Sequence, residues 1–298
     1  MGLFSRLFAP ASHEPREREV LCAGSKGLHR MRYREWGDPA NARVLVCVHG
    51  LTRNGRDFDA LARAMSANFR VVCPDVVGRG RSDWLADPAG YALPQYVSDM
   101  MVLLARLDVG SVTWVGTSMG GLIGMIIAAQ ARSPIIRLVL NDVGPVITAE
   151  SLRRIGEYVG KAPEFDDLAA AEAYIRLVSA PFGALSDADW RGLTESSVRR
   201  RDDGKWTMIY DPAIGDAFRA ASLTLSTIDL WPIYDAIRCP TLVTRGETSD
   251  LLTVETHAEM GRRGPKAQLA TVPGVGHAPM FLDESQIGML RNFLSAAV

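Results

Sequence analysis

The feature that most constrains the fold of this chain is a serine flanked by glycines between two apolar segments. Residues 116–120 have the sequence Gly-Thr-Ser-Met-Gly, with an apolar run at 112–115 before them and another at 122–129 after them. This order predicts a strand, a sharp turn and a helix, with Ser118 at the apex of the turn. The flanking glycines allow strand and helix to approach closely. We therefore expect the serine hydroxyl to project from the edge of a sheet as a candidate nucleophile.

Segments of strand length alternate with segments of helical periodicity over most of the chain. Apolar runs predict strands at 43–48, 69–73, 112–115, 135–140, 240–245 and 268–272. Helices are predicted at 58–65, 95–107, 122–129 and 284–297. A first hairpin is expected around His29. Such alternation predicts a parallel sheet with helices on both faces.

One long segment departs from this alternation. Between residues 146 and 230 the sequence predicts helices at 150–159, 168–178, 187–198 and 213–223, and no buried strand. We interpret residues 146–230 as a helical cap inserted into a core domain made of residues 20–145 and 231–298. Residues 1–19 are expected to form an N-terminal tail.

Composition excludes several classes of function. The 298 residues carry 33 basic and 34 acidic side chains, interspersed, for a net charge of −1, which argues against a nucleic-acid partner. No apolar run is long enough to predict a membrane span. The first ten residues match neither a secretory signal nor a myristoylation signal. The four cysteines are far apart, so we expect buried thiols, no metal site and a cytoplasmic location.

A nucleophilic serine needs a base, and His277 is the candidate among the five histidines. It follows the last predicted strand in the glycine-rich segment 274–279. Ligands of open α/β sheets bind at the carboxyl ends of the strands, where this segment is expected to lie. We therefore predict that His277 accepts the Ser118 proton.

The carboxylate that orients this base has more than one candidate. We favour Asp250, which follows the strand predicted at 240–245 and completes the chain order serine, aspartate, histidine. Asp142 also follows a predicted strand, and a carboxylate that accepts backbone N–H bonds in a turn is its alternative role. Glu247 is a third, weaker candidate.

The donors for a developing oxyanion are expected to be backbone N–H groups. His49 and Gly50 directly follow the first buried strand, and a turn there would direct the N–H of Leu51 toward the reacting carbonyl. The N–H of Met119, directly after the serine, would complete the pair. We expect the ring of His49 to be structural, bonded to a neighbouring loop.

Together these segments resemble the capped α/β-hydrolases, a group that includes carboxylesterases, enol-lactonases, C–C bond hydrolases and epoxide hydrolases. The resemblance covers nearly all of the chain after residue 25. Its markers are residues 49–50, 75–82, 116–120, 250 and 276–277. It implies the α/β-hydrolase fold, with a mostly parallel central sheet flanked by helices and a helical cap inserted before the last two strands.

The resemblance also favours one reaction class. Relatives that attack alkyl carbon carry aspartate where this chain has Ser118, so serine implies acyl chemistry without a cofactor or a metal. The expected substrate is a small or medium ester. Because the chain also resembles bacterial intracellular oligoester hydrolases, hydroxyalkanoate oligoesters are candidate substrates. Lactones are candidate substrates as well. A C–C bond hydrolase or an acyltransferase with the same triad, and a non-catalytic ligand receptor of this fold, are the alternatives. A monomer or a homodimer is expected.

Three further features stay open at this stage. The 75–82 segment, rich in arginine and glycine, lacks the lysine and the glycine spacing of a phosphate-binding loop, so we expect a structural loop. Arg53 and Asn54 follow the oxyanion turn, where they either contact a polar group of the substrate or are solvated. The aromatic residues of the cap either pack it on the core or line an acyl pocket.

Overall fold

The computed structural model describes residues 14–222 and 227–296. Its strands, in chain order, are β1 (Arg16–Gly24), β2 (Gly27–Trp36), β3 (Val44–Val48), β4 (Arg70–Pro74), β5 (Val112–Thr117), β6 (Ile135–Asn141), β7 (Val146–Ile147), β8 (Glu164–Phe165), β9 (Val198–Arg200), β10 (Trp206–Met208), β11 (Ile228–Asp229), β12 (Thr241–Gly246) and β13 (Gln268–Val272).

The α-helices alternate with these strands. They are α1 (Asp59–Met65), α2 (Leu93–Leu107), α3 (Met119–Ala128), α4 (Ala149–Tyr158), α5 (Leu168–Val178), α6 (Asp187–Ser197), α7 (Ala213–Ser222), α8 (Trp231–Ala236), α9 (Val254–Met260) and α10 (Glu284–Ser295). Every helix predicted from periodicity is present within a few residues of its expected bounds. Residues 223 and 297, the predicted ends of two of them, lie outside the described residues.

An eight-stranded sheet forms the centre of the molecule. Its order is β1-β2-β4-β3-β5-β6-β12-β13. The hairpin β1–β2 and the pair β2–β4 are antiparallel, and the other neighbours are parallel. The prediction of a mostly parallel sheet flanked by helices is confirmed. The carboxyl ends of β3, β5, β6 and β12 therefore meet at one edge.

The two faces of the sheet bury separate hydrophobic clusters. Side chains of β3 alternate between them: Val46 packs with α2 and α3, whereas Cys47 packs with α1 and α10. Because both faces are covered, all five residues of β3 are buried. This explains the continuous apolar run that predicted the strand.

The segment between β6 and β12 departs from the alternation of long strands and helices. Besides five of the helices, α4 to α8, it contains two short sheets, β8-β10-β9 and β11-β7. The sequence did not predict these sheets because strands of two or three residues leave no periodic pattern. It joins the core through paired backbone bonds: Gly80 N donates to Ile209 O at 2.9 Å, and Asp211 N donates to Gly78 O at 2.8 Å. The division into cap and core remains a prediction.

Part of the predicted N-terminal tail lies in the central sheet. Strand β1 begins at Arg16 and pairs with β2 along its whole length, so residues 16–19 belong to the sheet. The sequence predicted a hairpin around His29 but not where β1 begins, because the charged residues of this strand are solvated on an edge while only Val20 and Cys22 point inward. Residues 1–13, the rest of the predicted tail, lie outside the described residues. Within the described residues, none of the helices is both long and apolar enough to span a bilayer.

Candidate active site

Ser118 sits at the turn between β5 and α3, as the sequence predicted. Its φ of +51° and ψ of −115° are unusual for a residue other than glycine, which is the strain expected at such an apex. The turn requires small neighbours: a Cβ at Gly116 would lie 2.3 Å from the carbonyl oxygen of Gly120. A Cβ at Gly120 would lie 2.0 Å from the carbonyl oxygen of Val48. Strand, turn and helix therefore pack so closely that a side chain at position 116 or 120 would overlap with backbone atoms.

The ring of His277 lies between the serine and a carboxylate. Its Nε2 is 3.0 Å from Ser118 Oγ, and its Nδ1 is 2.6 Å from Asp142 Oδ2. The loop that carries it is anchored by Gly276 N, which donates to Pro181 O at 2.6 Å. The imidazole is 22% exposed and so stays open to solvent on one side. In this arrangement Nε2 can accept the hydroxyl proton while Nδ1–H donates to the carboxylate.

Asp142 is fully buried at the end of β6, where a φ of +53° turns its side chain across the sheet edge. Aspartate tolerates this left-handed backbone better than most residues do. Its Oδ1 accepts the N–H of Gly246 at 2.8 Å. Its Oδ2 accepts Ser249 Oγ at 2.6 Å, in addition to His277. These donors hold the carboxylate in one orientation toward the ring.

The structure corrects our assignment of the acid, because it does not place Asp250 against His277. The Asp250 side chain is 55% exposed and pairs with Arg154 of α4 at 2.6 Å. The loop after β12 turns so that Ser249, one residue earlier, points at Asp142 while Asp250 points outward. Asp142, our second candidate, is the carboxylate that contacts the histidine.

Two further residues of the loop after β12, Glu247 and Ser249, also have defined hydrogen-bond partners. Glu247, the third acid candidate, is exposed, and its Oε2 accepts the N–H of Gly274 at 2.8 Å. Ser249 was not predicted as a site residue, although its buried hydroxyl contacts the carboxylate. Its only sequence signal was its place in the loop after β12, which is too general to single it out.

The two residues predicted to supply oxyanion donors belong to turns that meet at the serine. The turn after β3 lies against the 116–120 turn, called the elbow below, since a Cβ on Gly50 would be 3.7 Å from Ser118 Cβ. Leu51 follows in this turn. Met119 is the first residue of α3, and the N–H groups of the first helical turn have no partner within the helix. The helix dipole adds positive potential at the same point.

His49 is fully buried and links two loops, as expected from its position. Its Nε2 accepts the backbone N–H of Val76 at 2.9 Å, so the ring is neutral and its Nδ1–H donates to Gly50 O at 2.7 Å. Burial lowers the pKa of His49 to about 3. Buried His29 and His257 contact Asp99 Oδ2 and the Val243 carbonyl, respectively. His13 lies outside the described residues.

Arg53 and Asn54 connect residues 49–54, called the oxyanion loop below after their predicted role, to α6. Arg53 binds Asp57 at 2.6 Å and Ser197 Oγ at 2.6 Å. Asn54 Nδ2 donates to Ser196 O at 2.7 Å and is buried. Both side chains are thus engaged with protein groups and hold the two segments together.

Cys22, His29 and Asp99 form the one group, within the described ranges, whose metal-ligand atoms come close together. All three are buried between the β1–β2 hairpin and α2. His29 Nε2 and Asp99 Oδ2 are 2.9 Å apart, and Gln95 Nε2 donates to Asp99 Oδ1 at 2.7 Å. Burial raises the pKa of Cys22 to about 12, so the thiol stays protonated. We interpret the group as a hydrogen-bonded network.

Comparison with known proteins identifies the family of the chain. Residues 45–286 match the family model of the "Alpha/beta hydrolase family". A "3-hydroxybutyrate-oligomer hydrolase" from Cupriavidus necator is 49% identical over 292 residues, which cover 96% of this chain and 100% of the relative. A "2-(acetamidomethylene)succinate hydrolase" from Mesorhizobium japonicum is 28% identical and covers 85% of this chain and 88% of its own.

A solved structure has the same architecture. The crystal structure of an alpha/beta hydrolase from Novosphingobium aromaticivorans superposes with a TM-score of 0.85 at 35% identity. The match covers 94% of this chain and 98% of the other. The fold expected from the sequence is therefore confirmed.

Proposed function

Because the chain belongs to the alpha/beta hydrolase family, we propose that it hydrolyses carboxylic esters through an acyl-enzyme on Ser118. The observation that carries the proposal is the continuous hydrogen-bonded path from Ser118 Oγ through His277 to Asp142. In this path the hydroxyl has a base, and the base has a buried carboxylate that fixes its orientation.

The proposed reaction has two acyl-transfer steps. His277 Nε2 takes the Ser118 proton while Oγ attacks the ester carbonyl carbon, and the tetrahedral intermediate collapses as the same proton passes to the leaving alkoxide. An alcohol leaves and an acyl ester of Ser118 remains. Water, deprotonated by His277, then attacks this ester, and the carboxylic acid and the free serine are released. Asp142 stabilises the imidazolium in both steps.

The negative oxygen of each tetrahedral intermediate needs donors that are already in place. We assign this role to the N–H groups of Leu51, which follows Gly50 in the turn packed against Ser118, and of Met119, the first residue of α3. Such donors are effective because they are fixed before the charge develops. Loss of one donor typically lowers kcat by about 10²–10³-fold.

We propose short linear oligoesters of 3-hydroxybutyrate as the substrate class. The support is the 49% identity to a 3-hydroxybutyrate-oligomer hydrolase, with complete coverage of that protein. Cleavage of each ester bond consumes one water and yields one hydroxyl and one carboxyl end. No cofactor enters this balance.

Hydrolysis assays test both parts of the proposal. We expect release of 3-hydroxybutyrate from its dimer and trimer, hydrolysis of p-nitrophenyl esters, and stoichiometric labelling of Ser118 by a fluorophosphonate. Ser118→Ala should remove labelling and lower kcat by at least about 10³-fold. A folded wild type that neither labels nor hydrolyses any ester would contradict the proposal.

Two related reactions serve as controls. Cleavage of a vinylogous diketone faster than of any ester would identify a C–C bond hydrolase, and transfer of the acyl group to added alcohols in place of water would identify an acyltransferase. Lactones, tested in parallel, show whether cyclic esters are also accepted.

We further propose that the protein acts in the cytoplasm, as a monomer or a homodimer. The support for the location is that all four cysteines are free thiols, three of them buried. Analytical ultracentrifugation tests the assembly, and fractionation of cells tests the location. We also propose residues 146–230 as the cap that selects the acyl group.

A further inference from the structure

Arg79 is a fully buried arginine whose guanidinium contacts three segments of the chain, two through backbone carbonyls and one through a side chain. Its Nε donates to Leu51 O at 2.8 Å, and one terminal nitrogen donates to Val77 O at 2.7 Å. The other terminal nitrogen contacts Met119 Sδ at 3.7 Å. Leu51 and Met119 are the two residues assigned above as oxyanion donors, so one side chain contacts both.

The charge of Arg79 is not paired with a carboxylate among the described residues; its recorded partners are carbonyl oxygens, a sulfur and aromatic rings. The guanidinium carbon lies 4.8 Å from the ring centroid of Tyr96 and 5.8 Å from that of Tyr91. Burial of an unpaired cation is costly. Such a group is expected where its positive potential has a use.

The potential of Arg79 extends to the start of the oxyanion loop. After burial itself, the guanidinium is one of the groups that lower the pKa of His49, the residue before Gly50. A planar group with donors on several edges is suited to hold separate carbonyls at fixed angles, which a flexible ammonium is not.

We propose that Arg79 is the positioning residue of the oxyanion hole. By holding Leu51 through its carbonyl and Met119 through its side chain, it keeps the two backbone N–H groups aimed at one point, and its buried charge strengthens their potential there. The inference rests on the ester hydrolysis proposed above. It assigns a role in the reaction to the 75–82 loop, which the sequence indicated only as structural.

Substitution of Arg79 should affect the transition state more than substrate binding. We expect Arg79→Met, which keeps length but removes charge and donors, to lower kcat by about 10- to 100-fold with KM within about threefold. Arg79→Lys should recover part of this loss because it restores the charge. Rates are referred to active sites titrated with a fluorophosphonate, so that misfolded protein does not count.

The matched control is Arg81→Met in the same loop. Arg81 is 58% exposed and pairs with Glu17 at 3.0 Å. We expect this variant to keep wild-type kcat and KM. This control shows whether the effect of Arg79→Met is specific to Arg79 or follows from the loss of any arginine in the 75–82 loop.

Inhibitor pairs distinguish positioning from general damage. A trifluoromethyl ketone forms an oxyanion on Ser118, whereas the matching alcohol binds without one. We expect Arg79→Met to weaken the trifluoromethyl ketone by the same factor as kcat/KM and to leave the alcohol unchanged. Equal weakening of both compounds, or a per-site kcat within threefold of wild type, would overturn the inference.

If Arg79→Met does not fold, the same inhibitor pair, the trifluoromethyl ketone and the matching alcohol, is measured with Arg79→Lys to test the inference. A wild-type kcat and a wild-type affinity for the trifluoromethyl ketone in Arg79→Lys would then overturn the role of the planar donors. Failure of the proposed function itself looks different, because the wild type would then neither hydrolyse esters nor react with the fluorophosphonate.

Discussion

At the scale of single residues, the proposed chemistry depends on which aspartate carboxylate contacts Nδ1 of His277. Asp142 has three donors around its two carboxylate oxygens when its bond to the histidine is included. A carboxylate held in this way cannot rotate away from the ring, and its burial strengthens the interaction with an imidazolium. Asp250 has neither property, since water and Arg154 solvate it.

Exchange of each aspartate for asparagine tests this difference. We expect Asp142→Asn to lower kcat on the order of 10³–10⁴-fold, because the amide disfavours the productive tautomer of His277. Asp250→Asn should leave kcat within a few-fold of wild type, since it removes only an exposed ion pair. Steady-state kinetics on a p-nitrophenyl ester measure both. Full activity in folded Asp142→Asn would refute the assignment of the acid.

Ser249 offers a second test at the same scale. Its hydroxyl donates to the Asp142 oxygen that also accepts from His277, so Ser249→Ala should loosen the carboxylate and lower kcat by about 3- to 10-fold with little change in KM. Ser249→Thr retains the hydroxyl and should restore most of the rate. A change in KM alone, or no recovery in the threonine variant, would speak against a positioning role.

At the scale of elements, the turn between β5 and α3 depends on the close approach of β3. The first turn of α3 packs on the end of β3, where the carbonyl groups of Val48 and His49 supply the nearest atoms to a Cβ built on Gly120. The elbow is thus stabilised by two strands and a helix, and its backbone strain is held by the packing around it.

Two glycine substitutions should have opposite effects on stability. Gly120→Ala places a methyl group against backbone atoms that cannot move aside, so we expect loss of activity and a clear drop in the free energy of unfolding. Gly192, exposed in α6, has open space around its Cβ direction, and Gly192→Ala should stabilise by about 0.5–1 kcal/mol. Urea denaturation measures both. An unchanged free energy of unfolding in Gly120→Ala would contradict this, because it would show that α3 can move away from β3 without loss of stability.

At the scale of the whole molecule, loops from the sheet edge and segments of the proposed cap stabilise each other. Arg53 and Asn54 bind the end of α6, and Tyr91 Oη donates to buried Asp211 at 2.5 Å. The oxyanion loop is consequently connected to both parts of the chain. His49 lies inside this assembly, so its ionisation bears on the stability of the whole fold.

The stability of the protein should therefore fall in mild acid through His49. Its folded-state pKa is about 3, while the unfolded chain protonates at the ordinary value of 6.5. Its contribution is complete above pH 6.5 and is lost as the pH falls toward 3, by at most about 1.4 kcal/mol per pH unit. Urea denaturation of the wild type and of His49→Gln should show their stability difference shifting in favour of the variant as pH falls.

Asp75 acts in the opposite direction and makes this comparison necessary. Burial raises its pKa to about 6 from 3.8, so its contribution is complete below pH 3.8 and is lost as the pH rises through 6. The wild type and His49→Gln both retain Asp75, so its effect cancels in the difference between their free energies of unfolding. A difference that does not change with pH would contradict the assignment to His49.

Much of this architecture could be predicted because its signals are local. The run 44–48 is apolar at every position since both faces of the sheet are covered, and the elbow is marked by glycines that no other residue can replace. Strand β1 gave no such signal, because an edge strand exposes most of its side chains. Contacts between distant segments, such as Arg79 with Leu51 and Met119, have no periodic pattern at all.

The sequence by itself determined the residue types and their order: a serine at a strained turn, a late histidine in a glycine-rich loop, and aspartates between them. Only the tertiary structure decided which aspartate serves the histidine. Asp142 and Asp250 both follow strands that end at the same sheet edge, and both precede His277 in the chain. The choice rests on backbone direction over a few residues, because a left-handed turn aims Asp142 inward while the loop after β12 aims Ser249 inward and Asp250 toward solvent.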